Sequence, residues 1–183
     1  MHMPTQHGPW TILKSTVKYA NPWMTVREDE VLRPDGKPGI YGTVTIKPGS
    51  SVLAMDEDGM VYLLDEFGYA ANHQGLVVAN GGFDAHEAPL ACAKRELKEE
   101  LGIEGDEWIE LGFIDPHPSA VDSPAYLFMV RKLHFGAPHH EGTETLRMVK
   151  MSFADAVAKV MDGTITHAPS CVVILKAKEY LKL

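Results

Sequence analysis

Residues Arg95 to Ile103 read Arg-Glu-Leu-Lys-Glu-Glu-Leu-Gly-Ile, so three carboxylates and a guanidinium share one short segment. On a helix Glu96 and Glu99 stand at i,i+3 and Glu96 and Glu100 at i,i+4, and all three project within an arc of roughly 100°. Like charges at this spacing repel and weaken the helix that carries them. A hard divalent cation removes that penalty. Mg²⁺ takes oxygen ligands, keeps several waters, and is usually held by a few carboxylates together with substrate phosphates. The chemistry that follows is hydrolysis of a phosphate ester or a diphosphate, with charge on the phosphoryl oxygens neutralised and a water oriented. Against this stands the ordinary reading of a helix rich in Lys, Glu and Arg, a solvated face.

The elements around this segment must hold it in place. Leu90, Ala93, Leu97 and Leu101 fall on one stripe, which predicts a helix from about Ala88 to Leu101. Pro89 sits where a first turn tolerates proline, and Gly102 supplies the stop. The carboxylate arc is expected beside the apolar stripe. Upstream, Met24 to Leu32 alternates, Arg33 to Gly39 is a turn cluster, and Ile40, Gly42, Val44 and Ile46 share a face, which reads as a hairpin. A second hairpin is expected from Val52–Met55 and Val61–Phe67 around Asp56-Glu57-Asp58-Gly59. A short strand, Leu76 to Ala79, runs into Asn80-Gly81-Gly82. Further strands are expected near Trp108–Ile114, Ala125–Phe135 and Leu146–Met151. Ser152 with Asp155 forms a possible capping box opening a helix that ends at Gly163, and a last helix covers Ser170 to Leu181. This order predicts an α/β layered domain (51–183) behind a β-rich N-terminal piece (1–50), joined near Pro48-Gly49-Ser50.

Composition narrows the function classes. The chain has 183 residues with 17 basic and 25 acidic side chains, a formal charge of −8. That balance argues against a non-specific nucleic-acid binder, yet allows an acidic substrate wherever a bound cation reverses the local sign. Hydrophobic content of 45% and charged content of 23% are those of a globular chain. No apolar run approaches the ~20 residues of a membrane span, and the first twenty residues lack a signal-peptide core. Cys92 and Cys171 read as small buried hydrophobes in a reduced, cytoplasmic protein.

The wider spacing decides between the two readings of the acidic helix. Gly81, five residues, Glu87, seven residues, Arg95-Glu96-Leu97, one residue, Glu99-Glu100, one residue, Gly102-Ile103 matches every fixed position of the Nudix box. A chain of average composition would match nine such positions by accident on the order of once in ten million. The sequence resembles a Nudix hydrolase. The resemblance implies an α/β/α sandwich around a mixed sheet, with the box as loop, helix and loop. It implies that Glu96, Glu99 and Glu100 ligate Mg²⁺ or Mn²⁺, and that Arg95 orients them. Glu87 then braces the loop or reaches metal through water, while Gly81 and Gly102 shape the loop and the helix exit. The family's reaction is hydrolysis of a nucleoside diphosphate linked to another group.

Outside the box the chain is similar to the ADP-ribose pyrophosphatase branch. It shares that branch's β-rich N-terminal piece, a proline near Pro116 and Pro118, and an acidic loop Glu141-Gly142-Thr143-Glu144. The resemblance makes Glu144, with Glu141 second, the general base or extra ligand. It also implies a homodimer formed through the N-terminal piece, whose aromatics hold the base; Trp10 and Tyr41 are the positions most like those, with Trp23 third. The chain departs from the branch at Val77 and Ala79 before the box, and at Gly68, where a substrate-binding arginine is common. Arg27, Arg33 or Arg147 then becomes the candidate cation. The expected substrate is ADP-ribose or a related nucleoside diphosphate sugar. The alternatives are a nucleoside triphosphate or dinucleotide house-cleaning hydrolase, and a non-catalytic nucleotide-ligand sensor. The diphosphate isomerase branch of the fold would need a catalytic cysteine, and Cys92 lies inside the box helix.

Overall fold

The computed structural model describes residues 3–139 and 146–183. In chain order the strands and helices begin with β1 (Thr5–His7), β2 (Trp10–Ala20), β3 (Met24–Leu32) and β4 (Pro38–Ile46). There follow β5 (Gly49–Met55), β6 (Met60–Gly68), β7 (His73–Val77), β8 (Ala79–Gly82), α1 (Pro89–Leu101) and β9 (Ile103–Ile114). The chain ends with β10 (Val121–Asp122), β11 (Ala125–Phe135), β12 (Arg147–Ser152), α2 (Phe153–Met161) and α3 (Ala168–Leu181). Two compact units emerge: Met1–Lys47 with Asp115–Ser123, and Pro48–Ile114 with Pro124–Leu183.

The first unit is a sheet in the order β1-β2-β3-β4-β10. Its central hairpin turns at Arg33 to Lys37. Gly36 takes a φ of 76° there, and Asp35 accepts from the Lys37 N–H at 3.1 Å. Strand alternation then places Arg27 opposite Thr43 and Asp29 opposite Tyr41 on one face. Val26, Val44, Ile40 and Ile46 take the other. The run Asp115–Ser123 joins through β10, which pairs parallel with β4.

The second unit is built on a mixed sheet, β12-β6-β5-β11-β9, with β7 added to β6 and β8 to β5. The β5–β11 pair is parallel and its neighbours are antiparallel. Both faces of β5 are covered, so its residues read as a continuous apolar run rather than an alternating one. Val52 and Ala54 pack with Ala93, Leu97 and Leu101 of α1. Leu53 and Met55 pack with Phe153 and Ala156 of α2 and Val173, Ile174 and Ala177 of α3. Helices on both faces of the sheet form the expected α/β/α layering. Among the described residues no helix is long and apolar enough to cross a membrane.

Local signals account for most boundaries. The Ser152 hydroxyl accepts from the Asp155 N–H at 3.0 Å, capping α2 as the pattern predicts. Gly102 ends α1 at a φ of 64°. Three elements differ from expectation. The strand predicted over Leu76–Ala79 is broken at Val78, whose N–H goes to the Ser170 hydroxyl at 3.0 Å, so the chain leaves β6 and rejoins the sheet beside β5. Strand β9 begins directly at Ile103 rather than near Trp108, because the left-handed Gly102 reverses the chain without a loop. Leu90, in the first turn of α1, is 38% exposed, and Cys92 is buried in the core instead.

Gly102 is more than a stop signal. A Cβ there would lie 2.5 Å from the Gly136 carbonyl oxygen and 2.8 Å from the Pro138 nitrogen, both backbone atoms. Gly163 has a comparable φ of 81° but open space around it. Gly102→Ala should cost about 2 kcal/mol or more, and Gly163→Ala only about 1 kcal/mol, because the second pays for left-handed backbone alone. Urea unfolding of the two variants measures the difference; equal losses would mean the chain around Gly136 moves aside freely.

Candidate active site

The box helix is set by its core row. Ala93, Leu97 and Leu101 lock its rotation against β5. The neighbouring row, at four-residue intervals, is Cys92, Glu96 and Glu100. That row is driven toward the sheet as well, so Glu100 is 9% exposed rather than solvated beside the stripe. A buried carboxylate needs donors. Glu100 Oε2 accepts from the Asn80 backbone N–H at 2.9 Å, on the strand that enters the box. Asn80 in turn is tied through its side-chain amide to the Val78 carbonyl at 2.9 Å.

Glu96 lies against Gly81. A Cβ at position 81 would fall 2.0 Å from Glu96 Oε1, so the glycine is the space in which this carboxylate sits. The same strand segment approaches Gly49 closely, with the Gly81 carbonyl 2.7 Å from where a Gly49 Cβ would be. Two glycines on adjacent strands therefore let β8 close down between β5 and α1.

Arg95 joins the acidic groups. Its Nε and Nη2 grip Glu87 at 3.0 and 2.9 Å, and its Nη1 reaches Glu96 at 2.7 Å and Glu99 at 3.0 Å. Nη2 also donates to the Gly82 carbonyl at 3.0 Å. All five guanidinium N–H donors thus have oxygen acceptors. Electrostatics follow the geometry. The Arg95 guanidinium pulls the Glu87 carboxyl down to about 2, and the surrounding carboxylates hold Arg95 more firmly charged than usual, Glu87 most of all. Burial pushes the Cys92 thiol up to about 11, which makes it a poor nucleophile.

Among the described residues no three His, Cys, Asp or Glu side chains converge into a cation cage, and Arg95 holds Glu96 and Glu99. The donor set still fits a hard divalent ion: oxygen-only ligands, one carboxylate at the solvent edge (Glu99), one buried (Glu100), and one in a glycine cradle (Glu96). Glu87 braces the loop, accepting from the Asp84 N–H at 2.9 Å as well as from Arg95. Glu141 and Glu144 lie outside the described residues. Trp10 and Tyr41 meet edge to face in the first unit, ring centroids 5.4 Å apart. Trp23 is exposed at the β2–β3 turn. Of the candidate cations, Arg33 is paired with Asp35 at 2.6 Å and Arg147 with Asp65 at 2.5 Å, while Arg27 lies beside Asp29. Sequence reasoning missed the Asn80 N–H, the Gly82 carbonyl and the Arg27–Asp29 pair. Backbone groups carry no residue signal, but the charged i,i+2 spacing on a strand could have flagged the last.

Residues 45–168 match the NUDIX domain, and residues 10–44 match the nucleoside diphosphate sugar hydrolase N-terminal domain. The chain belongs to the Nudix family. Among curated relatives of this Nudix chain, the ADP-ribose pyrophosphatase of Mycobacterium tuberculosis (strain ATCC 25618 / H37Rv) is 26% identical over 167 residues, covering 89% of this chain and 80% of the relative. The GDP-mannose pyrophosphatase of Yersinia pestis (strain Pestoides F) is 27% identical over 143 residues, covering 71% and 70%. The fold is that of a crystal structure described as an ADP compounds hydrolase, with a TM-score of 0.81 at 21% identity over 100% of this chain and 96% of that one.

The glycine cradle gives a test separable from folding. In Gly81→Ala the clashing atoms belong to the flexible end of Glu96, so the fold should survive while the carboxylate is displaced. Titration with Mn²⁺ followed by electron paramagnetic resonance should show at least tenfold weaker binding, with far-ultraviolet circular dichroism unchanged. Unaltered Mn²⁺ affinity would remove Glu96 from the ligand set.

Proposed function

We propose that this Nudix pyrophosphohydrolase hydrolyses the diphosphate linkage of a nucleoside diphosphate sugar, a class that includes ADP-ribose and GDP-mannose, with Mg²⁺ or Mn²⁺ as cofactor. The observation that carries the reading is the convergence of Glu87, Glu96 and Glu99 on Arg95 beside a buried Glu100. The substrate class is supported by the N-terminal match over residues 10–44 and by the names of the two curated relatives.

In this reading Glu96, Glu99 and Glu100 hold the cation, which when bound neutralises charge on the diphosphate oxygens and favours attack by water. Arg95 keeps the free carboxylates from repelling one another and fixes their directions. Glu87 anchors Arg95 and the loop before α1. Glu144, or Glu141, takes the proton from the attacking water as general base. Trp10 and Tyr41 offer aromatic surface to the nucleoside, stacking being worth about 1–3 kcal/mol per base. The chain works as a homodimer. Support comes from the β2–β4 sheet, where Tyr19, Ile40 and Ile46 lie exposed on the face opposite Arg27 and Asp29.

Glu99→Gln and Glu100→Gln should each lower kcat by at least a hundredfold, and chelation by EDTA should abolish turnover reversibly. Release of nucleoside monophosphate from GDP-mannose and ADP-ribose, followed by chromatography, measures both; a full rate in either variant would sink the ligand assignment. Light scattering should return twice the 20.2 kDa chain mass. A monomer at micromolar concentration would overturn the dimer.

A further inference from the structure

Ser170 is a polar residue at the head of an apolar stripe. With Val173, Ile174 and Ala177 it makes the i, i+3, i+4, i+7 row of α3, and all four are fully buried. A hydroxyl in such a place needs partners for its hydrogen as well as for its lone pairs. Its oxygen accepts from the Val78 N–H at 3.0 Å, and its second partner is Nδ1 of His167, the N-cap residue of α3, at 2.8 Å. Were Nδ1 the donor in that contact, the buried hydroxyl hydrogen would have no acceptor among the described residues. The hydroxyl therefore donates to Nδ1, the ring carries its own hydrogen on Nε2, and His167 is neutral. Burial favours the same neutral form, pushing the His167 pKa below its ordinary value.

That hydroxyl acts on the strand that enters the box. Val78 is the single residue between β7, which pairs with β6, and β8, which pairs with β5. Its N–H goes to Ser170 instead of to a neighbouring strand. Its carbonyl accepts from the Asn80 side-chain amide at 2.9 Å, and the Asn80 backbone N–H goes to Glu100 Oε2 at 2.9 Å. Hydrogen bonds and short backbone links thus run from His167 through Ser170, Val78 and Asn80 to Glu100. Because α1 and α3 cover opposite faces of the sheet, this connection crosses it. A buried Val78 N–H that lost its acceptor would have to turn elsewhere. Asn80, two residues on and bonded to Val78, would turn with it.

We infer that His167 and Ser170 are positioning residues for Glu100: the neutral ring orients the hydroxyl, the hydroxyl fixes Val78, and Val78 holds the Asn80 N–H on the carboxylate. The consequence for metal binding rests on the reading of Glu100 as a cation ligand. The consequence for the Asn80 N–H does not.

The test uses the full metal-free chain. Ser170→Thr keeps the hydroxyl, and Ser170→Val has the same shape without it, so the two variants differ in the bond alone. Hydrogen exchange is followed by nitrogen NMR, with the Leu53 amide as the gauge of global opening. Relative to Leu53, the Asn80 N–H should exchange about tenfold faster in Ser170→Val than in Ser170→Thr. Added Mn²⁺, read by electron paramagnetic resonance, should bind about tenfold more weakly to Ser170→Val, as when a ligand's supporting partner is lost. Val173→Ala, on the same buried row, loosens packing without touching these bonds and should leave both readouts near wild type. His167→Gln, whose side-chain carbonyl can still accept, should stay near wild type where His167→Ala does not; this pair serves if the Ser170 variants do not fold. Ring nitrogen shifts of the wild type should place the His167 hydrogen on Nε2. A hydrogen on Nδ1 would overturn the inference, and so would equal relative Asn80 exchange in Ser170→Thr and Ser170→Val, whatever their Mn²⁺ affinities. Faster Asn80 exchange with unchanged Mn²⁺ affinity would uphold the positioning of the carboxylate and overturn its reading as a cation ligand.

Discussion

Three carboxylates bonded to one guanidinium dominate the second unit's electrostatics. Without Arg95 the row of Glu96 and Glu99, with Glu87 beside it, would be a concentration of negative charge that no helix surface tolerates cheaply. Arg95 satisfies them with four of its five N–H donors, and Glu87 takes two of these, from Nε and Nη2. The consequence is an acidic cluster whose carboxylates are held in fixed directions by one side chain. The Glu87 pair ties the guanidinium to the loop before α1.

That arrangement depends on where the helix core lies. Ala93, Leu97 and Leu101 set the rotation, and the next row carries Glu96 and Glu100 toward the sheet instead of toward water. Only a strand with no side chain at the point of contact can accept them. Gly81 provides that gap for Glu96, and the backbone N–H of Asn80 provides the donor for Glu100. Core packing, backbone closeness and the placement of the carboxylates are therefore one constraint. The broken strand at Val78 belongs to it as well, since the break moves Asn80 and Gly81 from the β6 side to the β5 side.

The box was legible in the residues alone because its chemistry demands particular types at particular spacings: Glu87, Arg95, Glu96, Glu99 and Glu100 with glycines at 81 and 102. Helix α1, the capping box at Ser152 and the two hairpins were legible for the same local reason, since caps, turns and periodicity act over a few residues. Other features were decided by contacts between distant segments. Val78 leaves its strand because Ser170, far along the chain, takes its N–H. The burial of Glu100 follows from which row of α1 faces β5, and the pairing of Asp29 with Tyr41 follows from strand register. Sequence fixes which groups a residue carries; the burial and hydrogen-bond partners that give those groups their chemistry belong to the tertiary fold, because each depends on atoms remote in the chain.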